Sequence, residues 1–469
     1  MGTNWTPNLT AFDGPKYRAL AAALRDGISQ GALPPGMKVP PVRELAWQLG
    51  ITPGTVARAY GLLTDAGVLD ATVGRGTFVA ELAAPADAPH SMGSDGALHG
   101  AEERAGEADF VSPALPDMGQ AALIRRLMAE VAEDPPSGLM HYPNRTLFRP
   151  ARDAVLGWLK GTPLGPVRQD ELVLSHGGQN GICLALQSIL QGPEPVVAVE
   201  GLSYPGFRRA AQLMRAGVVS VAIDDDGIVP EALEQAIVDH GVSVLCTSPE
   251  VHNPVGLFTP LKRREEIAAI ARAYGIQIIE DDCYRMGATR ASSYRALLPR
   301  QGWYVSSISK TLTPALRIGF VIAPEGRSAD LRRSAEHGFF GLATPLADLT
   351  AKLLVHPDVD RLQMAVTARV GTYVETLVNH LGSYDISWRR DVPFVWLKLP
   401  VGWRATAFCQ AALEAGIRIR SAEDFAGRDS HPPHAVRIAI NAQLPLERFD
   451  AAMATLRDIL ANPPERIGV

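Results

Sequence analysis

The segment SISKTLTPALRIGF, residues 307–320, carries only two charged side chains, Lys310 and Arg317, between apolar flanks. A solvent-facing amphipathic helix would normally carry several charged residues on its polar face. Two interpretations follow. Either both cations reach solvent from a mostly buried element, or they bind a group that is anionic and reactive. The rest of the sequence favours the second interpretation.

The composition is that of a folded protein with two or three domains. The chain has 469 residues, is 46% hydrophobic and has a net charge of −5, so the molecule as a whole is neither a polyanion nor strongly basic. The four cysteines are scattered without a CxxC pair, which predicts neither a disulfide framework nor a metal site. There is no apolar N-terminal segment and no apolar run of membrane-spanning length, so we expect a cytoplasmic protein.

A change in composition divides the chain. Residues 82–107 are rich in Ala, Gly, Pro, Ser and acidic residues and show no sustained periodicity, which predicts a flexible linker. We therefore predict one domain over residues 1–81 and a second over residues 108–469.

The first domain is predicted to contain three helices and a β-hairpin. Apolar residues recur at helical spacing in three segments, KYRALAAALRDGISQG (residues 16–31), PVRELAWQLG (residues 41–50) and TPGTVARAYGLLTDAG (residues 52–67). Thr52 can cap the third helix, and Pro53 suits its first position. VLDATVGRGTFVA, residues 68–80, then alternates as two strands. This order is typical of a winged helix-turn-helix.

Residues 38–80 resemble the DNA-binding domain of GntR-type bacterial regulators, in helix order, in the VRELA segment and in the GRGTFV wing. The resemblance implies that Arg43 and Arg75 contact DNA. It also places Thr52 and Thr55 at the start of the recognition helix, where N–H groups and hydroxyls can meet phosphate. Many relatives have Ser-Arg where this chain has Thr52-Pro53, so we expect altered readout of DNA.

Charge supports DNA binding only modestly. Residues 1–80 hold seven Lys and Arg against five Asp and Glu, and a dimer would double the phosphate contacts. The alternative is a small protein-interaction domain.

From about residue 108 the pattern predicts an α/β domain with a mostly parallel sheet. Five short apolar runs, ELVLS, VVAVE, VSVLCTS, IQIIEDD and WYVSSIS, alternate with helical segments such as LKRREEIAAIARAYG. Continuous apolar strands between helices indicate a sheet covered on both faces. Ligands on such sheets bind at the carboxyl ends of the strands.

Polar residues follow these runs, where a ligand would bind. They are Gly177, Gly178 and Gln179 in SHGGQN, Tyr204 in VEGLSYPG, Asn253 in SPEVHNPVG, and Asp281 and Tyr284 in EDDCY. The two glycines allow close backbone approach at a helix start, where free N–H groups can bind phosphate. Taken singly, each motif is also compatible with a turn, a core residue or a cap.

Together with Lys310 and Arg317, these motifs resemble the fold-type I pyridoxal 5′-phosphate enzymes of the aspartate aminotransferase family, from about Phe110 onward. The resemblance implies that Lys310 forms a Schiff base with the cofactor, that Asp281 pairs with its ring nitrogen and that Arg317 binds its phosphate. It also implies further cofactor contacts from Tyr284, Asn253, Tyr204, Ser307, Ser309, Gly177, Gly178, Gln179 and, across a dimer interface, Tyr142. Arg437, in HAVRIAIN, resembles the arginine that binds a substrate carboxylate.

The order of winged helix, linker and aminotransferase-like domain resembles the MocR regulators, a branch of the GntR family. It implies a head-to-tail homodimer that binds double-stranded promoter DNA and senses a small amine or amino acid by aldimine exchange at Lys310. The alternative is an active aminotransferase with an appended domain, since every residue it needs is present. The attached DNA-binding domain favours the regulator. The effector stays open: the regulated process could be the use of compatible solutes or taurine, the synthesis of pyridoxal phosphate, or the catabolism of another amino compound.

Overall fold

The computed structural model describes residues 7, 15–29, 32–34, 36–65, 68–72, 76–79, 107–142, 144, 146, 148–427, 430 and 432–463. The chain divides into two compact units, Met1–Asp95 and Gly96–Val469. Apart from Glu107, the predicted linker at residues 82–107 lies outside the described residues, so the predicted domain bounds stay predictions.

The first unit has the predicted winged helix-turn-helix. Its elements are α1 Lys16–Ser29, α2 Val42–Gln48, α3 Pro53–Asp65, β1 Leu69–Thr72 and β2 Gly76–Val79, with the two strands antiparallel. The Thr52 hydroxyl accepts the N–H of Thr55 at 3.3 Å and so caps α3, as the sequence predicts. Val56, Tyr60 and Leu63 form the buried face of this helix.

The second unit alternates helices and strands. Its helices are α4 Gln120–Glu133, α5 Arg149–Trp158, α6 Gly177–Ile189, α7 Pro205–Leu213, α8 Pro230–His240, α9 Leu261–Tyr274, α10 Tyr294–Leu297, α11 Ser328–Phe339, α12 Thr344–Leu354, α13 Val359–Leu381, α14 Ala405–Glu414 and α15 Leu446–Ala461, with short 3₁₀ turns at Gln169–Glu171 and Ala422–Phe425. Its strands are β3 Ala108–Asp109, β4 Leu172–Ser175, β5 Val196–Glu200, β6 Gly217–Val221, β7 Ile223–Asp224, β8 Gly227–Ile228, β9 Val242–Thr247, β10 Gln277–Asp281, β11 Gly302–Ser307, β12 Gly319–Ile322, β13 Ile386–Ser387, β14 Phe394–Lys398, β15 Ile417–Arg418, β16 Arg420–Ser421 and β17 Ala435–Ala439.

Within the described part of this unit, a seven-stranded sheet has the order β4-β12-β11-β10-β9-β5-β6. Neighbouring strands are parallel except at β12, which is antiparallel to both β11 and β4. The five predicted apolar runs form β4, β5, β9, β10 and β11, which confirms the mostly parallel sheet. Helices cover both faces: Val199 and Ile279 pack with α6 and α7, while Ala198 and Ile278 pack with α8 and α9.

A second sheet, antiparallel and four-stranded in the order β13-β14-β17-β16, was not predicted. Its outer strands β13 and β16 have two residues each, too few for a periodicity to appear in the sequence. Within the described ranges, every helix is too short or too polar to cross a bilayer.

Gly319 allows the close packing at one end of the large sheet. It begins β12 and lies in register with Ser307 of β11 and Ser175 of β4. A Cβ atom at this position would lie 2.5 Å from the carbonyl carbon of Gly177, at the start of α6. Because that neighbour is backbone, a side chain would have to displace the first turn of the helix.

We therefore expect Gly319→Ala to lower the free energy of unfolding of the second unit by about 1–3 kcal/mol, as overpacking does. Chemical denaturation of the cofactor-free protein measures this. Gly157→Ala is the control, since Gly157 lies in α5 with no atom within 4 Å of an added Cβ. That change should be neutral or stabilise by roughly 0.5–1 kcal/mol. Equal stability of the two variants would contradict the packing argument.

Candidate functional site

The predicted site residues gather at the carboxyl edge of the seven-stranded sheet. β4, β5, β9, β10 and β11 all run in the same direction, so their carboxyl ends share one edge. The following residues lie at or directly after these ends: Gly177, Gly178 and Gln179 after β4, Tyr204 after β5, Asn253 after β9, Asp281 and Tyr284 at β10, and Ser307, Ser309 and Lys310 at β11. Arg317 lies just before β12, which starts at the same edge.

Lys310 lies beside an aromatic ring, and a buried acid ends the neighbouring strand. The Nζ atom of Lys310 is 5.3 Å from the ring centroid of Tyr284, and that ring packs edge-on against Phe394. Asp281 is buried, and its Oδ1 accepts the N–H of Cys283 at 3.0 Å. Burial raises the pKa of Asp281 to about 6. A cationic N–H group beside this carboxylate would lower its pKa again, so the site suits a protonated ring nitrogen.

Arg317 packs on Gly177, and Ser309 follows the neighbouring strand β11 at the same edge. A Cβ atom at Gly177 would lie 2.8 Å from Nη2 of Arg317, so the guanidinium packs directly on the first turn of α6. Arg317 itself has a left-handed backbone with φ of 51°, which is uncommon for a residue with a side chain. The buried Oγ of Ser309 has no hydrogen-bond partner within the part of the chain that is described. A guanidinium, a hydroxyl and a helix N-terminus are donors that phosphate prefers.

Gln179 and Tyr204 meet across Gly206. The Gln179 Nε2 atom donates to the carbonyl of Gly206 at 3.0 Å. A Cβ atom at Gly206 would overlap both the Gln179 amide and the Tyr204 ring. This glycine therefore lets the Tyr204 ring approach the start of α6, where a ring ligand would stack.

Arg437 is a buried cation held in a fixed orientation. Its Nη1 donates to Oδ1 of Asn253 at 2.6 Å, and its Nη2 donates to the carbonyl of Val111 at 2.7 Å. The guanidinium carbon lies 5.3 Å from the ring centroid of Phe394 and 4.7 Å from that of Phe425. The Asn253 and Val111 oxygens that accept these hydrogen bonds are both neutral. A guanidinium binds a carboxylate more strongly than it binds a neutral oxygen. The contact also links Arg437, on the small sheet, to Asn253, in the loop that follows β9 of the large sheet.

Tyr142 lies on the surface of the second unit, and the predicted DNA contacts belong to the first unit. Tyr142 is 87% exposed, and its role at another subunit stays a prediction. Arg43 is exposed on α2. The hydroxyls of Thr52 and Thr55 are 2.9 Å apart at the start of α3. Arg75 lies outside the described residues.

Sequence reasoning missed a buried acid next to this site. Glu200, at the carboxyl end of β5, is 1% exposed, and its Oε1 accepts the hydroxyl of Thr247. Its Oε2 lies 3.7 Å from Nε2 of His252, whose pKa is lowered to about 4 by burial. Burial likewise raises the pKa of Glu200 to about 8. The signal was present, since VVAVE ends in an acid as IQIIED does.

The fold and this site define an aminotransferase-like domain of fold type I, preceded by a winged helix. The family described as "Aminotransferase class I and II" matches residues 112–456, and "Bacterial regulatory proteins, gntR family" matches residues 16–79. The chain belongs to the class I and II aminotransferase family and carries a GntR-family domain before it. This is the MocR-type architecture, and the prediction of a DNA-binding transcriptional regulator is confirmed.

Known regulators are similar to this chain in sequence over most of its length, and known aminotransferases share the fold of its second unit. The HTH-type transcriptional regulator YdeF of Bacillus subtilis (strain 168) is 27% identical, with 97% of each chain covered. The vitamin B6 salvage pathway transcriptional repressor PtsJ of Salmonella typhimurium is 28% identical, with 92% of this chain and 95% of PtsJ covered. The α-aminoadipate aminotransferase LysN of Thermus thermophilus, solved with N-(5′-phosphopyridoxyl)-L-leucine, shares the fold with a TM-score of 0.67 at 22% identity, over 76% of this chain and 92% of LysN.

Glu200 gives a pH prediction for the cofactor-free protein. Its pKa is about 8 in the folded state against 4.5 normally, so the folded state holds a proton that the unfolded state has released. Stability from this group is therefore present below pH 4.5 and is lost as the pH rises through about 8. Glu200→Gln removes this loss. The melting temperature of the variant minus that of the parent should therefore be larger at about pH 8 than at about pH 5.

Glu194→Gln is the control, because Glu194 lies exposed before the same strand. We expect its difference from the parent to be the same at both pH values. A Glu200→Gln difference that does not change with pH would show that Glu200 is ionised throughout.

Proposed function

We propose that this transcriptional regulator binds pyridoxal 5′-phosphate at Lys310 and uses it to sense a primary amine that carries a carboxylate. The observation that carries the proposal is the convergence of Lys310, Asp281 and the Gly177–Arg317 cradle at one edge of the sheet. The LysN structure, which holds a phosphopyridoxyl group on the same fold, supports it.

The residues present fit this cofactor. When bound, pyridoxal phosphate supplies an aldehyde that condenses with primary amines and a ring that withdraws electrons. Arg317, the Ser309 hydroxyl and the N–H groups at the start of α6 would hold its phosphate. Asp281 would keep the proton on the ring nitrogen, since a buried carboxylate gains most from a cationic partner.

The remaining site residues would orient the ring. Tyr204 would lie against one face of it, and Tyr284 and Asn253 would donate to its 3′ oxygen. Lys310 would provide the amine that attaches to the aldehyde, and Ser307 would support the phosphate beside Ser309. Tyr142 would reach the phosphate of a second subunit in a head-to-tail homodimer.

Arg437 would recognise the effector. Its fork of donors, fixed by Asn253 and Val111, matches a carboxylate in two parallel hydrogen bonds. An amine held there would displace Lys310, and the freed lysine and the bound effector together would bias two arrangements of the dimer. The size of this bias equals the difference in the effector's binding free energy between the two arrangements. A full switch from about 1:99 to 99:1 needs a difference of roughly 5.5 kcal/mol. Exchange of one amine for another is nearly balanced, so Arg437 would supply much of this difference.

An active aminotransferase is the second candidate, because Lys310, Asp281, Arg317 and Arg437 are all retained at the site. Turnover of an amino acid with a 2-oxo acid by the purified protein distinguishes it. If the protein turns over the amino acid faster than the amino acid changes its affinity for DNA, the aminotransferase function is favoured.

The cofactor proposal predicts that the purified protein absorbs visible light and that borohydride fixes the cofactor onto Lys310. Lys310→Ala should lose the covalent adduct in mass spectrometry and still bind the cofactor reversibly, because Asp281 and Arg317 remain. Lys262→Ala, at a side chain 88% exposed, is the control and should keep the adduct. A covalent adduct in Lys310→Ala would refute the assignment.

The DNA-binding proposal predicts that Arg43→Ala weakens DNA binding and leaves the visible spectrum unchanged. A lost phosphate contact should weaken binding to all sequences and flatten the plot of log K against log salt by about one unit. A lost base contact should instead relax specificity at one position, at roughly 1–3 kcal/mol. Arg457→Ala, on the surface of α15, is the control. If Arg43→Ala binds DNA as tightly as the parent across a salt series, the DNA-binding surface lies elsewhere. Pro53 could be the cause, because it could change how the domain docks on DNA.

A further inference from the structure

One carboxyl group holds the loop that carries Asn253. Glu200, the last residue of β5, accepts the hydroxyl of Thr247 and the N–H of Ser248, both with its Oε1 atom. Its Oε2 atom lies 3.7 Å from Nε2 of His252, the residue directly before Asn253. The start and the middle of this loop therefore both lie against the same side chain.

The pair of Glu200 and His252 is buried, and its facing atoms lack hydrogen bonds. Glu200 is 1% exposed and His252 is 2% exposed. Within the described residues, neither Oε2 of Glu200 nor Nε2 of His252 has a hydrogen-bond partner of normal geometry. Buried polar atoms are nearly always hydrogen-bonded. A small rotation of either side chain would bring these two atoms into hydrogen-bond distance, and one bond would then satisfy both.

This bond needs one proton, and the surroundings assign it to Glu200. Among the described residues, no arginine or lysine forms an ion pair with this carboxyl group. A buried carboxylate without a cation is costly, and protonation removes the cost. Burial raises the pKa of Glu200 to about 8 and lowers the pKa of His252 to about 4, and the backbone of Leu202 raises the latter by less. Near neutral pH the acid therefore carries the proton and the imidazole is neutral.

Two loops with predicted cofactor contacts meet at this pair. Tyr204 lies in the loop that follows Glu200, and Asn253 follows His252 directly. Asn253 is 2% exposed, and its Oδ1 atom accepts the bond from Nη1 of Arg437 at 2.6 Å. The amide oxygen is thus in use, and the NH₂ group of the same amide is the part that can donate to a ligand. A shift of His252 would move this amide.

We propose that Glu200 and His252 are positioning residues for the cofactor: the neutral acid donates to the imidazole and so holds Asn253 where its amide can donate to the 3′ oxygen of the ring. The inference rests on the proposed binding of pyridoxal phosphate and adds two residues to it. Both would act through Asn253 and not by touching the cofactor. Once Glu200 ionises it has no proton to donate, and the loop loses this contact.

The titratable groups described around Glu200 ionise in other pH ranges. The charge of Glu200 acts on Cys246 of β9 and Tyr294 of α10, and burial raises the pKa of both far above neutral. Burial raises the pKa of Asp281, on β10, only to about 6. Arg264 of α9, the cation beside Tyr294, is held in an ion pair. Of these groups, Glu200 is the one that ionises near pH 8.

Cofactor titrations of the full-length protein test the inference, with the visible absorbance of bound pyridoxal phosphate as the readout. Glu200→Gln keeps the shape of the side chain and has a donor at every pH. We expect it to bind the cofactor as tightly as the parent at about pH 7 and about three- to tenfold more tightly at about pH 9.5, since one hydrogen bond contributes that much.

Glu280→Gln is the matched control. Glu280 lies on β10, is 1% exposed and also has its pKa raised to about 8 by burial. Its carboxylate accepts the N–H of Tyr294 and not a group of the Asn253 loop. We expect Glu280→Gln to show the same dependence of cofactor affinity on pH as the parent.

A second set of variants tests whether the effect passes through His252 and Asn253. Removing the acceptor with His252→Leu should weaken cofactor binding at about pH 7 by a similar factor of about three to ten. In the His252→Leu background, and equally in the Asn253→Ala background, Glu200→Gln should no longer change the affinity at about pH 9.5, because residues that act as one unit are not additive.

The outcomes separate this inference from the proposed function. If the parent binds no pyridoxal phosphate at any pH, the proposed function fails. If it binds, and the ratio of its affinity to that of Glu200→Gln stays constant with pH, the positioning role is refuted and the function stands. If Glu200→Gln keeps its advantage in the Asn253→Ala background, Glu200 only supports the fold and the inference is refuted. A Glu280→Gln variant that behaves as Glu200→Gln does also refutes it, because any buried acid would then give the effect.

Discussion

The reversal of β12 against β11 is the constraint on which the site depends. Ser307 and Gly319 are paired in register, so residues 308–318 leave the sheet and return to it at the same edge. This short excursion carries both Lys310 and Arg317. A parallel return would need a crossover and would bring Arg317 to the opposite edge. Within this excursion Lys310 is half-buried, whereas Arg317 is exposed and packs its guanidinium on the first turn of α6.

The site draws on two sheets with different roles. The large parallel sheet provides the lysine, the buried acid and the anion cradle from loops at one edge. The small antiparallel sheet provides Arg437, whose Nη1 donates at 2.6 Å to Asn253 in the loop after β9 of the large sheet. Buried charges on both are costly unless they are paired or hydrogen-bonded. Glu200 and Asp281 respond with raised pKa values, whereas Arg437 is hydrogen-bonded to neutral oxygens.

Sequence predicted the parts that local patterns determine. The five apolar runs became strands of one sheet, Thr52 capped α3, and polar residues after the strands gathered at one edge because parallel strands require it. Parts that depend on long-range register were missed. The pairing of Arg420 with Arg437 is set by how β16 docks on β17, and no spacing in the sequence encodes it. β12 was missed because its apolar run has four residues and directly follows the charged segment.

The Ser203 N–H donates to the Phe425 carbonyl, so the loop that carries Tyr204 is joined to the residue whose ring packs on Arg437. Under the proposed function the cofactor would order one side of this bond and the effector the other, and a coupling between them would act in both directions by thermodynamic necessity. Occupancy on one side would then change affinity on the other by the same factor. The protein without its cofactor would be a poorer receptor for the effector even where every effector contact is intact, so vitamin supply and amine supply would be read as a product and not as independent inputs.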